Sequence, residues 1–349
     1  MNDTIDVRQG ELPDLARLEP YLRERLPVSA APFGLRQFGG GHANLTYLVQ
    51  FGEQEYVLRR PPYGPLPKGG HDMQREYRVL SVLFAHFPLA PRAYVLCTDA
   101  DVIGADFVVM ERRHGEVIRD KLPPALASDE AARTRLADGF IDALAALHSV
   151  SYAKAGLAGL GKPSGYLTRQ LSGWVERWSA VATPDRADAG ALIVHLQERL
   201  PASGPPALVH NDYKLDNALV ARDDPTRLAA ILDWDMCTIG DPLCDLGNVL
   251  ALWMEPGDPP AISSSMMPTG VAGFPSRAGV VERYARATGR DCSRAGWYRA
   301  FNVFRYAVIA QQIYARFVRG QTQDERFRNF GQWTTQLIAT GSALADRGI

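Results

Sequence analysis

Within LVHNDYKLDNALV (residues 208–220), His210, Asp212, Lys214 and Asn217 stand between aliphatic residues on both sides. An aspartate in such a loop can orient a hydroxyl and accept its proton, while an asparagine five residues on can turn its carbonyl oxygen back to a divalent cation that holds phosphates. Asp and Asn also cap turns locally, so these offsets alone leave a purely structural loop open. A second segment narrows the choice. LAAILDWDMCTIGDPLCDLGNVL (228–250) begins as an apolar β run and ends in Asp233, Trp234 and Asp235. The intervening ALVARDDPTRLAAI has the pattern of a hairpin turning at Asp223, Asp224 and Pro225. That geometry predicts that Asn217 and Asp233 approach each other and offer two oxygen ligands from separate loops.

The elements that must carry these loops change character near residue 111. Before it, GLRQFGG, NLTYLVQF, EYVLRR, RAYVLC and DFVVMER read as strands, with one helix, GGHDMQREYRVLSVLFAHF, among them. After it helix dominates. SDEAARTRLADGFIDALAALHSV repeats Phe140, Leu144 and Leu147 at helical spacing, with Ser128 expected as N-cap and Glu130 in the first turn. YLTRQLSGWVERWSA and WYRAFNVFRYAVIAQQIYARFVRG are two further long helices. The expected organisation is a small mixed part, residues 1–111, a hinge at about 110–114, and a larger helical part, residues 112–349. The amphipathic LPDLARLEPYLRERL leaves a docking helix or a frayed arm open, packing on the small part being the commonest use of such a segment.

Composition sets wider bounds. The chain has 349 residues, too many for one ordinary compact domain. Hydrophobic residues make up 46%, charged residues 22%, and the net charge is −1, which suggests neither a nucleic acid nor a membrane partner. MNDTIDVRQGELPDL lacks a basic stretch followed by an apolar one, and no run of 18 apolar residues occurs, so a cytoplasmic location is expected. Cys97, Cys237, Cys244 and Cys292 form no CxxC pair and are expected as free buried thiols. No G-x-S-x-G elbow is present for a serine hydrolase.

The H-x-D-x-x-x-x-N loop, the DWD strand end and the following GDPLCDLG together resemble the aminoglycoside phosphotransferase and choline kinase family of the protein-kinase-like fold. YVLRRPP, REYRVL and DWDMCTIGDPLCDLG are most similar to its branch of kinase-like domains associated with acyl-CoA dehydrogenases. The resemblance covers residue 34 to at least 250. It implies an α+β, bilobal fold: a small N-terminal lobe with an antiparallel sheet plus a helix binds nucleotide, and a large, mainly helical C-terminal lobe carries catalysis and acceptor binding. Asp212 is implied as catalytic base, Asn217 and Asp233 as Mg2+ ligands, and Asp241 and Asp245 as acids that brace the loops. His210 is expected as a scaffold residue, and Lys214 stands where many kinases have lysine. Asp235 occupies the place of the D-F-G glycine, either touching a second metal through water or fixing the loop.

On that alignment Gly39, Gly40 and Gly41 would let backbone amides approach phosphate. Arg59 stands where protein kinases have lysine, with Arg60 as the alternative donor. Glu76 is the expected ion-pair partner of Arg59. Met110, Glu111 and Arg113 would line the purine through the backbone, which suits ATP or GTP equally. The implied reaction moves the γ-phosphoryl group to a hydroxyl of a small molecule. Residues 251–349 hold twelve arginines, no lysine and seven acids, a balance that disfavours a polycationic acceptor and suits an anionic or acyl-linked one. Their aromatics, Trp253, Phe274, Trp297, Tyr298, Phe304, Tyr306 and Tyr314, have the spacing of core residues. MEPGDPPAISSSMMPTGVAGFPS (254–276) is expected as a lid over the acceptor. An antibiotic kinase is the alternative acceptor reading. A pseudokinase serving as an interaction module is the alternative class, supported by Arg59 and the missing D-F-G glycine.

Overall fold

The computed structural model describes residues 3–39, 44–64, 71–258 and 267–346. They form two compact units: Met1–Gly115 with Ala153–Ala158 and Ala229–Cys237, and Glu116–Tyr152 with Gly159–Leu228 and Thr238–Ile349. Asp233 and Asp235 thus belong to the first unit although they follow residue 111. The stretch is tied there by Ile231 N–H, which donates to Leu89 O at 2.8 Å, and by the Trp234 ring edge-on to Phe87.

In the first unit, β1 (Thr4–Ile5), β2 (Phe33–Phe38), β3 (Leu45–Phe51), β4 (Gln54–Arg60), β5 (Ala93–Cys97) and β6 (Phe107–Glu111) make an antiparallel sheet in the order β1-β2-β3-β4-β6-β5. Period-two alternation sends Tyr47, Val49 and Phe51 of β3 and Tyr56 and Leu58 of β4 into one core. Helix α1 (Leu15–Arg25) covers that core with Leu18 and Leu22, both fully buried, as its amphipathic pattern requires. Asp14 caps α1, and Asp72 caps α2 (Met73–Leu83), each accepting a backbone N–H three residues on. The short α3 (Ala100–Ile103) adds Val102 and Ile103 to the same core.

The second unit begins with β7 (Glu116–Val117) and α4 (Pro124–Ala127). Helix α5 (Glu130–Ser149) is capped by Asp129, whose carboxylate accepts from Ala132 N, and not by Ser128. The extended backbone at Asp129 aims its carboxylate at the first turn, while Ser128 closes α4 and donates to Pro124 O. Then come α6 (Tyr166–Ala180), α7 (Gly190–Glu198), β8 (Ala207–Val209), β9 (Ala218–Val220), β10 (Leu228–Ile231), which runs into the first unit, β11 (Thr238–Gly240) and α8 (Leu243–Leu252). The last helices are α9 (Arg277–Thr288), α10 (Ala295–Val318) and α11 (Phe330–Asp346). Besides the expected helices there are short antiparallel pairings, β7 with β9 and β8 with β11. Helices α8 and α10 approach so closely that a Cβ on Gly247 would lie 2.5 Å from Tyr298 O, which demands glycine there. Trp253, Trp297, Tyr298 and Phe304 are core, and all four cysteines are free and buried.

Of the segment 254–276, residues 259–266 lie outside the described residues. Its described ends are pinned: Arg277 pairs with Glu255 and Asp258, and Met254 N–H donates to Thr269 Oγ1. Met267 Sδ accepts from Leu215 N–H of the 208–220 loop. Among the described residues no helix is long and apolar enough to cross a membrane.

Candidate active site

Strand β8 delivers the chain into His210, Asn211 and Asp212, and a 3₁₀ turn, Leu215–Asn217, returns it into β9. Asn217 Nδ2 donates to Oδ2 of Asp212 at 2.7 Å and to its carbonyl at 2.8 Å. Lys214 Nζ sits 2.9 Å from the same Oδ2. Asp212 Oδ1 accepts no hydrogen bond among the described residues, and the side chain is 24% exposed. The loop therefore holds one oxygen of a carboxylate fast and presents the other. With Nδ2 so engaged, the carbonyl oxygen of Asn217 is turned away from Asp212. Burial would lower the Lys214 pKa, but Asp212 outweighs it and keeps the ammonium charged well above its usual range.

The backbone of this loop is fixed by α8. Asp245, fully buried in its first turn, accepts from His210 N at 2.6 Å, Asn211 N at 2.7 Å and His148 Nε2 at 3.1 Å. Burial alone would raise its carboxyl; the hydrogen bond from His148 and the backbone donors win and hold it below the usual carboxylate range. Because an ionised Asp245 only accepts, Nε2 of His148 donates to it, and Nδ1 lies 2.7 Å from Tyr284 OH. One turn on, Asn248 Nδ2 donates to Tyr213 O and Asn248 Oδ1 accepts from Tyr306 OH. Asp241 braces a different joint, accepting from Leu243 N and Tyr298 OH. His210 is buried, and its Nδ1 accepts from Asp212 N.

In the first unit, the end of β10 places Asp233 in the left-handed region, φ 68°, and buries Trp234, whose indole donates to Ile231 O. Arg59 reaches Asp233 Oδ1 at 2.7 Å with one nitrogen and pairs with Glu76 through another. Asp235 accepts from Asn44 Nδ2 at 3.2 Å, and Asn44 Oδ1 is 2.6 Å from His71 Nδ1. Three carboxylates thus surround one guanidinium. Burial, with Asp233 and Asp235 nearby, pushes Glu76 up to about 7 against the pull of Arg59. Burial and the neighbouring Asp233 likewise push Asp235 up. Arg60 points elsewhere: it is buried and donates to Ile103 O and Pro61 O.

Gly39 follows β2 directly, whereas Gly40 and Gly41 lie outside the described residues. Met110 is paired with strands on both sides, and Glu111 N–H donates to Arg92 O. Arg113 donates to Ala90 O and pairs with Glu111. Sequence alone does not single out Asn44, His71, His148, Tyr166, Asn248, Tyr284 or Arg305, and offers Tyr306 only as a core aromatic. Asn248 had a signal, standing i+3 from Asp245 on one helix face; the others are recruited from distant segments.

A family model described as "Phosphotransferase enzyme family" matches residues 34–298. The chain belongs to that family. Its class is therefore that of small-molecule kinases. Acyl-CoA dehydrogenase family member 11 of Homo sapiens is 33% identical over 99% of this chain and 45% of its own length. Acyl-CoA dehydrogenase family member 10 of Mus musculus is 30% identical over 92% of this chain and 30% of its own. The chain thus spans less than half the length of these relatives, in agreement with the branch that its motifs resemble. A solved structure from Ralstonia eutropha JMP134, named among the aminoglycoside phosphotransferases, superposes with a TM-score of 0.80 at 29% identity over 96% of this chain and 99% of that one. Choline kinase of Cryptosporidium parvum shares the fold at 12% identity, with a TM-score of 0.62 and 96% of each chain covered. The fold is protein-kinase-like.

Proposed function

We propose that the chain transfers the γ-phosphoryl group of ATP to a hydroxyl of a small molecule, with Asp212 as base. The observation that carries this reading is the one-sided hold on Asp212: Asn217 and Lys214 both take Oδ2, so Oδ1 is left to accept the hydroxyl proton. As that proton leaves, the acceptor oxygen bonds to the γ-phosphorus and the bond to the β–γ bridging oxygen breaks, releasing ADP. Lys214 keeps positive charge beside the reacting groups. Arg59, anchored by Glu76, would take phosphate oxygens, and backbone amides at Gly39, Gly40 and Gly41 would cover them. The strand end at Met110, Glu111 and Arg113 would border the purine, and GTP fits this description as well as ATP.

Mg2+ fits the donor set. Asn217, Asp233 and Asp235 offer hard oxygens, and Mg2+ is commonly held by one or two such protein ligands while phosphates and water complete its shell. Bound there, it would neutralise charge developing on the phosphates. Asn217→Ala and Asp233→Asn are each expected to weaken Mg-ATP binding about tenfold or more, equivalent to about 1.4 kcal/mol, in calorimetry. Undiminished affinity in either variant would remove that residue from the metal site.

For the acceptor, the relatives named as acyl-CoA dehydrogenase family members and the arginine-rich stretch 251–349 favour an anionic or acyl-linked hydroxyl compound. An aminoglycoside is the second reading, suggested by the name of the Ralstonia structure. The side chains needed for transfer are all present, which weighs against a pseudokinase.

A further inference from the structure

We infer that Tyr166 and Arg305 are positioning residues for Asp212, acting through Asn211; the inference rests on the proposed role of Asp212. Asn211 has φ 66°, in the left-handed region that residues other than glycine seldom adopt and that asparagine enters more readily than most. Three helices hold it there. Its N–H donates to Asp245 of α8, its side-chain Oδ1 accepts from Tyr166 OH of α6 at 2.7 Å, and its carbonyl accepts from Arg305 Nη2 of α10 at 3.2 Å.

The third bond matters most for Asp212. The carbonyl of Asn211 and the N–H of Asp212 share one planar peptide, so the grip of Arg305 sets the plane from which the Asp212 side chain departs. The N–H on that plane donates to His210 Nδ1 at 3.3 Å. Arg305 is itself anchored. Its Nη1 donates to Asn302 Oδ1 at 2.6 Å, and Asn302 Nδ2 donates to Cys244 O and Tyr298 O. Its guanidinium also lies over the Trp174 ring, 5.3 Å from the centroid. Tyr166 is admitted by Gly240, where a Cβ would lie 2.6 Å from the tyrosine Cζ. The first glycine of the GDPLCDLG motif thus makes room for the phenol that fixes Asn211. Burial pushes that phenol well above its usual pKa, so it remains an O–H donor.

The test compares Tyr166→Phe, Arg305→Met and Arg305→Lys with the parent and with Asp212→Asn. Steady-state ADP release from Mg-ATP, with and without acceptor, is read beside hydrogen exchange of the 208–213 backbone. Tyr166→Phe and Arg305→Met are expected to lower kcat about 10–100-fold, the scale of an ångström-sized misplacement. The KM for Mg-ATP should stay within about twofold and 208–213 should exchange faster. Arg305→Lys should recover part of the rate by donating to the same carbonyl. Unchanged kcat and exchange in Tyr166→Phe and Arg305→Met, with Asp212→Asn inactive, would overturn the inference alone. Full activity of Asp212→Asn would instead overturn the base assignment. If no turnover is found, exchange decides: faster exchange keeps the clamp, and unchanged exchange overturns it. Tyr166→Phe removes a single oxygen and carries the test if an arginine variant fails to fold.

Discussion

Asp212→Asn is expected to lower kcat by about 10²–10⁴-fold, the usual contribution of a positioned general base. Its KM for Mg-ATP should change little. The substitution keeps the size of the side chain and still offers an oxygen to Asn217 or Lys214, so thermal stability should stay near that of the parent. What is lost is the oxygen proposed to take the proton. A rate loss matched by an equal loss of nucleotide affinity would point to a collapsed loop instead. Steady-state kinetics and calorimetry on one preparation separate the two outcomes.

The second large effect is on stability and belongs to Asp245→Asn. In the parent one carboxylate serves three donors, His210 N, Asn211 N and His148 Nε2, in a fully buried place. An amide replaces one acceptor oxygen by an NH2 group aimed at a donor, leaving at least one buried N–H unsatisfied. The expected loss is roughly 2–4 kcal/mol, with a thermal midpoint several degrees lower. Its pH dependence has a definite sign. The folded-state pKa of Asp245 lies below its unfolded value, so its stabilisation is full above the ordinary carboxylate range and is lost as pH falls through the folded value. The difference between parent and Asp245→Asn should therefore shrink on acidification. Thermal melts across pH would show this, and a difference that stays constant to low pH would mean that the carboxylate charge is not what holds the loop.

Much of this was legible in the sequence because the chemistry is local. The offsets of Asp212 and Asn217 sit in one short loop, and the alternation in β3 and β4 and the amphipathic pattern of α1 announce which faces are buried. The ion pair of Arg59 with Glu76 was also foreseen, because a cation on a strand and an acid on the next helix match the family that the motifs resemble. The cap of α5 was misplaced by one residue, since Ser128 and Asp129 both have capping side chains and only backbone direction separates them. What sequence could not display is long-range recruitment. His148 and Tyr284 stand behind Asp245 from two different helices, and Tyr166 and Arg305 meet at Asn211 from two more. None of these four carries a local motif, and each looks like an ordinary polar residue in an amphipathic helix. The bond from Arg59 to Asp233 likewise depends on residues 229–237 folding back into the first unit.

Phosphoryl transfer to a hydroxyl is read out by ADP release from Mg-ATP. The parent chain is assayed with hydroxyacyl-CoA compounds, aminoglycosides and other hydroxylated metabolites, with the product followed by phosphorus NMR. ADP release that depends on an acceptor is expected, lowered about 10²–10⁴-fold in Asp212→Asn, together with a new phosphate ester signal. Absence of nucleotide binding across several divalent metals would contradict it and make the 208–220 loop a scaffold without a reaction.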